Sequence, residues 1–306
     1  MERFESLQLF RRIVELGSFT KAAGMLGVPR ATATLAIKEL EARLDTRLLE
    51  RTTRMVRATA DGQAFYQRCV QILTELEDAE ASLQRVAANP HGTLRLSLHG
   101  THANRIVLPR IDDFHRRYPR IELVISTGDR LVDLVAEGID CVIRGGDPKD
   151  SSLIVRRLAV MPEVICASPD YLQAAGTPQH PDELPAHCAV GFFSSSHNLS
   201  YPFELIVDDQ LRQYALHSWL TVNDAENYVA SALRGGGLIQ LPRFHVESEL
   251  RHGQLVEVLS GWNSPGLPVS ALYPRHRQLS PRVRVFVDWA VELYQQRFGD
   301  AAMSTT

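Results

Sequence analysis

The sequence contains no uninterrupted apolar run of roughly 18 residues, which leaves nothing that reads as a membrane-spanning helix. The opening Met1-Glu2-Arg3-Phe4-Glu5 lacks the apolar core of a secretory signal, so a cytoplasmic location is expected and no membrane partner. Cysteine is sparse. Cys69, Cys141, Cys166 and Cys188 are widely spaced and include no Cys-x-x-Cys pair, which favours reduced, packed thiols over a disulfide framework or a zinc site. Also missing are a Gly-x-Ser-x-Gly elbow, a phosphate-binding P-loop and any run of metal ligands, so no catalytic constellation, cofactor or metal is expected. Nor is there a net basic excess to announce a nucleic-acid partner, since 33 Lys and Arg face 36 Asp and Glu for a formal charge of -3.

What is present is unevenly distributed. Residues 1–60 carry eleven basic and seven acidic side chains, whereas both residues 61–90 and residues 91–306 are net acidic. A positive head on an acidic body suits a small domain that meets a polyanion while a larger one does something else. With 306 residues, 44% of them hydrophobic, there is apolar surface for two or three domains.

In the head, Leu7, Phe10, Ile13 and Val14 follow a helical period that stops at Gly17. A second helix with Ser18 and Thr20 as cap residues and Ala22, Ala23 and Leu26 on its face ends at Gly27. Pro29 then opens a third helix over residues 30–44, through Ala33, Ile37, Leu40 and Leu44. Two short helices around a tight Gly-containing turn predict a helix-turn-helix. Arg30, Thr32, Thr34, Leu35 and Lys38 form the outward face of the third helix, a set able to reach base edges and phosphates in a major groove. Thr20 and Lys21 on the second helix join the expected DNA-binding set. So do Arg51, Thr53 and Arg54, in a hairpin wing that also carries Arg57. The alternative is an ordinary helical domain with a solvated charged face.

Phe19-Thr20-Lys21-Ala22-Ala23, Ile37-Lys38-Glu39-Leu40-Glu41, Leu48-Leu49-Glu50-Arg51-Thr52-Thr53-Arg54 and Thr59-Ala60-Asp61-Gly62 together resemble the N-terminal signature of LysR-type transcriptional regulators. The resemblance implies a winged helix-turn-helix whose third helix enters the major groove. Three positions depart from the family pattern: Pro29-Arg30 replaces the usual Ser-Gln, Leu35 stands where a polar residue is common, and Asp45 replaces a customary Gly.

From residue 65 onward, Phe65, Cys69, Ile72, Leu76, Ala79, Leu83 and Val86 alternate spacings of four and three, a heptad seam with acidic residues off it. It predicts a dimerising linker helix within residues 61–90, ending at a Pro90-His91-Gly92 break. A helix packed only on its own domain is the alternative. The family resemblance implies a homodimer and usually a tetramer.

The body alternates strands and helices. Leu94, Leu96 and Leu98 lead through His99-Gly100-Thr101 into a helix; residues 121–126 and 141–143 read as strands around a helix over 131–137. Such a pattern predicts an α/β domain with a parallel sheet, and ligands in such sheets sit beyond the strands' carboxyl ends. That points to Thr101, His102, Thr127, Gly128 and Arg144 as effector-binding residues. Arg144 can grip a carboxylate in two places; its rival role is an ion pair with Asp147. Phe193 is a weaker candidate, as is His102, since a lone aromatic or histidine more often packs. Asp140-Cys141-Val142-Ile143-Arg144, Ala167-Ser168-Pro169-Asp170-Tyr171-Leu172 and Asn223-Asp224 extend the resemblance to the family's effector domain, similar to periplasmic binding proteins, and add Asn223 and Asp224 to the effector set. It implies one lobe over about residues 91–161 and 268–306, a second over about 162–267, and a small-molecule effector in the cleft between them. A regulator of this kind has double-stranded operator DNA, itself and, as a further candidate, RNA polymerase as partners. A redox-sensing variant using Cys166 and Cys188 is a minor alternative.

Overall fold

Glu2 and Glu5 cap one another's backbone at the start of α1 (Arg3–Leu16), and Gly17 ends it with a left-handed φ of 59° that a side chain would resist. Ser18 then caps α2 (Phe19–Met25) by accepting from Lys21 N, and α3 (Arg30–Leu44) follows after a short turn. Fully buried Leu9, Phe10, Ile13, Ala22, Ala33 and Ile37 join these three helices in one core, to which Leu48, Leu49, Cys69 and Leu73 also belong. A two-stranded antiparallel hairpin, β1 (Leu49–Arg51) with β2 (Val56–Ala58), forms the wing, and α4 (Ala60–Leu83) continues for 24 residues, about 36 Å.

The computed structural model describes every residue except 52–55, 84–89, 129–133, 135–136, 147–152, 194–199, 276–279 and 300–306. The chain divides into two compact units, the first being residues 1–89 with the short segments 133–139 and 279–281 and the second being the rest.

In the second unit the first lobe is a five-stranded sheet in the order β4 (Ile121–Thr127), β3 (Gly92–Leu98), β5 (Cys141–Gly145), β14 (Leu267–Pro274), β6 (Leu153–Met161). Strands β4, β3 and β5 run parallel, but β14 is antiparallel to both neighbours, so the sheet is mixed where the alternating pattern predicted a parallel one. The physical reason is connectivity, because β14 re-enters from the second lobe without a crossover helix. Helices α5 (Gly100–His102), continued by a wider turn over Ala103–Val107, then α6 (Ile111–Arg117) and the C-terminal α10 (Pro281–Phe298) belong to this lobe. Phe114, Phe286, Trp289 and Tyr294 fill its core against Leu94, Leu96 and Leu98.

The second lobe centres on β12 (Ile239–Pro242), β7 (Glu163–Ala167) and β13 (Val256–Val258), all antiparallel. It adds the parallel pair β8 (Gly191–Phe192) and β11 (Thr221–Val222), and a hairpin of β9 (Phe203–Val207) with β10 (Gln210–Tyr214). Helices α7 (Pro169–Ala175), α8 (Ala225–Leu233) and α9 (Glu247–Arg251) complete it. The chain passes between lobes at Pro162 and again just before Leu267. Among the described residues, no helix is long and apolar enough to cross a membrane.

Candidate nucleic-acid interface and effector crevice

Helix α3 is sided as a reading helix needs to be. Ala33, Ala36, Ile37 and Leu40 point into the core, which leaves Arg30, Thr32, Leu35 and Lys38 exposed and Thr34 half-buried. Leu35 is 57% exposed, a large apolar side chain that the domain's own packing does not use. Pro29 precedes the helix and offers no side-chain cap, so the first-turn amides of α3 keep their partial positive charge uncovered by a side chain. Thr20 and Lys21 are exposed on α2. Arg51 lies in β1 and Arg57 is exposed on β2, while the proposed wing residues Thr53 and Arg54 lie outside the described residues.

The predicted linker seam divides. Cys69 is fully buried in the first unit's core, and Phe65 packs on Phe10 with ring centroids 5.5 Å apart. Cys69 is therefore not available to a partner helix, and half-buried Phe65 is committed in part to its own domain, which corrects the seam at its start. The cause is α1, whose apolar face covers that stretch of α4. Ile72 is 44% exposed one turn further on, and Leu76 is half-buried. Ala79 and Leu83 continue α4, and Val86 lies outside the described residues.

In the first lobe, the expected effector residues do converge. Leu98 pairs with Thr127 on one side and Ile143 on the other, and Gly128 N donates to Leu98 O. Thr127 and Gly128 are therefore exposed at the carboxyl ends of β3, β4 and β5, next to half-buried Arg144, which stands opposite Ser270 of β14. Asp147, the rival partner for Arg144, lies outside the described residues. Thr101 is buried just beyond β3, and its Oγ1 has no hydrogen-bond partner.

His102 is a correction. It is 3% exposed, with its Nδ1 2.7 Å from Tyr294 Oη and its ring stacked on that of Tyr294, so it is a packing residue of the first lobe. Burial, helped by nearby His99, pushes its pKa down to about 3 and keeps it neutral. Asp224 is already engaged as well: its Oδ1 accepts from Asn227 N and caps α8. Phe193 and Asn223 stand together where the parallel pair β8 and β11 ends, Phe193 N donating to Val222 O. Residues 194–199, which follow Phe193, lie outside the described residues.

Three features escape a linear reading. Phe244, in the second-lobe turn Arg243–His245, packs in the first lobe's core against His102 and Phe298 at 5.6 and 5.8 Å. The adjacent His245 is buried with Nδ1 unpartnered, and burial holds it well below the ordinary histidine pKa. Glu163, at the start of β7, has its carboxyl raised to about 7 by burial, with the like charge of Glu204 adding to the effect and a hydrogen bond from Ser264 opposing it. No local motif marks these positions, because their environment is made by segments far apart in sequence.

The model for the bacterial regulatory helix-turn-helix protein, lysR family, matches residues 4–63, and that for the LysR substrate binding domain matches residues 87–295. The HTH-type transcriptional regulator YhjC of Escherichia coli (strain K12) is 38% identical over 291 residues, spanning 94% of this chain and 97% of its own length. An HTH-type transcriptional repressor of Pseudomonas aeruginosa (strain UCBPP-PA14) is 36% identical over 296 residues, spanning 97% and 93%. Among solved structures, CrgA, a LysR-type transcriptional regulator from Neisseria meningitidis, aligns over 96% of this chain and 99% of its own with a TM-score of 0.57 and 29% identity. On the sided reading helix, the two-lobed body and these matches over nearly its whole length, the chain belongs to the LysR family of transcriptional regulators, with an N-terminal DNA-binding domain and a C-terminal effector-binding domain.

Proposed function

We propose that this regulator acts in the cytoplasm as a homodimer, pairing further into a tetramer, that lays α3 in the major groove of operator DNA and the wing along the flanking backbone. The observation that carries this reading is the outward face of α3, where Arg30, Thr32, Leu35 and Lys38 are exposed over a fully packed inner face. Ile72 and Leu76 are the first seam residues left for a second copy of α4. The effector is a small anion, best a carboxylate, held beyond the ends of β3, β4 and β5 by Arg144 with a hydrogen bond from Thr101, beside the exposed Thr127 and Gly128, and faced by Phe193 and Asn223 from the other lobe. It regulates by preferring one arrangement of the lobes or subunits, since a ligand shifts an equilibrium only by its differential affinity. RNA polymerase is the partner through which that shift reaches transcription. The role is regulatory and not catalytic, and it calls for no cofactor or metal.

The test is fluorescence anisotropy of the purified protein with duplex DNA from immediately upstream of its own gene, against scrambled duplex, at two salt concentrations. Preference for the upstream duplex, weakening with salt, is the expected result. Equal binding of both duplexes at both salts, with and without candidate carboxylates, would refute it.

A further inference from the structure

The start of the wing is tied to the reading helix through one carboxylate oxygen. Glu41, half-buried near the end of α3, accepts two backbone hydrogen bonds on a single oxygen: Oε1 lies 2.9 Å from Leu48 N and 3.0 Å from Leu49 N. Leu48 and Leu49 are core residues at 1% and 5% exposure, so their amides sit where water cannot readily replace a lost acceptor. Leu49 is also the first residue of β1, paired with Ala58 at the base of β2. On its other side the same segment is gripped by the start of α4. Thr59 N donates to Leu48 O at 3.0 Å, and Thr59 Oγ1 donates to Arg47 O at 2.7 Å while accepting from Gly62 N at 2.9 Å. Gly62 lies so close that a Cβ there would fall 1.9 Å from Leu48 O.

From this we infer that Glu41 is a positioning residue for DNA binding: it touches no DNA, but its carboxylate sets where the wing, with exposed Arg57, stands relative to the reading face of α3. A carboxylate that accepts two amide hydrogens is a strong, charge-assisted anchor. The inference rests on the proposed placement of α3 and the wing on DNA. If it holds, losing Glu41 uncouples the wing's phosphate contacts from the helix's base contacts, which alters the salt dependence of binding and leaves base preference in place.

The experiment compares full-length wild type, Glu41→Ala, Glu41→Gln and Arg57→Ala, together with the Glu41→Ala/Arg57→Ala double variant, by anisotropy on the upstream and scrambled duplexes over a salt series. Circular dichroism establishes that each variant is folded. Arg57→Ala in the wild-type background should lower the slope of log affinity against log salt by about one and weaken binding about threefold to tenfold at low salt. Glu41→Ala should do the same while keeping the preference for the upstream duplex, and adding Arg57→Ala to it should change little further. Glu41→Gln keeps an amide oxygen in place of the carboxylate and should restore most of the slope. A wild-type slope in folded Glu41→Ala, or fully additive Arg57→Ala and Glu41→Ala effects, would overturn the inference while leaving the DNA-binding reading intact. If Glu41→Ala does not fold, Glu41→Asp decides, since a carboxylate one methylene shorter cannot span to both amides: a slope lowered towards that of Arg57→Ala supports the inference, and a wild-type slope overturns it. If Arg57→Ala itself leaves the slope unchanged, the wing reading fails and the inference with it.

Discussion

Replacing Glu163 with Gln should stabilise this protein above neutral pH. Glu163 begins β7 beside the first passage between lobes, and Ser264 Oγ, in the return passage, donates to its Oε2 at 3.2 Å. Ser264 Oγ in turn accepts from Gly266 N at 3.0 Å, and Gly266 sits at φ +75° with space for a Cβ closed by Val160 and Met161. Burial first, and then Glu204, raise the carboxyl from 4.5 to about 7. At about 1.4 kcal/mol per pKa unit this shift corresponds to about 3 kcal/mol, and the partial solvent contact of the side chain reduces the expected effect to about 1–2 kcal/mol. The sign follows from linkage. Below about pH 4.5 both states are protonated and carry no penalty. Between 4.5 and 7 only the unfolded chain ionises, so wild-type stability falls as pH rises, and above 7 the full penalty remains. Gln keeps the hydrogen bond with Ser264 and has no charge to bury. Differential scanning calorimetry of the full chain from pH 5 to 8.5 should show Glu163→Gln melting a few degrees above wild type at pH 8, with the difference closing towards pH 5. A difference independent of pH, or a wild type that is the more stable at pH 8, would refute the reasoning.

Gly62→Ala should destabilise the DNA-binding unit by about 2 kcal/mol or more, since its Cβ meets backbone and not a movable side chain; a thermal melt within one degree of wild type would contradict this. Asp45 ends α3 with a left-handed φ of 48°, so Asp45→Gly should raise stability by about 1 kcal/mol, read by thermal denaturation. Leu35→Arg should change base preference in an operator-variant binding screen and leave the salt slope nearly unchanged, because the substitution falls on the reading face. In native protein only Cys188, which is partly exposed, should react with maleimide. Cys69 and Cys166, both raised by burial to about 12, and fully buried Cys141 should label only after denaturation, with the same count after peroxide treatment.

The local elements were legible where one short stretch of chain decides them. Gly17, Ser18 and Pro29 delimit the first three helices because caps and left-handed turns are chosen by the residue itself. The reading face of α3 followed from the same period, since Ala33, Ile37 and Leu40 can only point one way if they are to be buried. The heptad seam misled at Phe65 and Cys69 because periodicity says that a face is covered and not what covers it: here α1 does. The parallel pairing read from the alternating strands held for β3, β4 and β5, but a strand's apolar run does not encode its direction, and β14 arrives antiparallel from the other lobe.

The site in the body divides along that line. Thr127, Gly128 and Arg144 lie at strand ends, a position readable from where each apolar run stops. His102, the weaker candidate because a lone histidine more often packs, is sealed beneath Tyr294, 192 residues further along the chain. By itself the sequence determined the limits of the first three helices, the sidedness of α3, the charge of the head and the family. Only tertiary structure decided which polar groups stay wet: the neutral His102, the raised Glu163 and the Glu41 anchor at the wing. Desolvation is the reason, because it depends on every segment that closes over a group, and those segments are brought together only by folding.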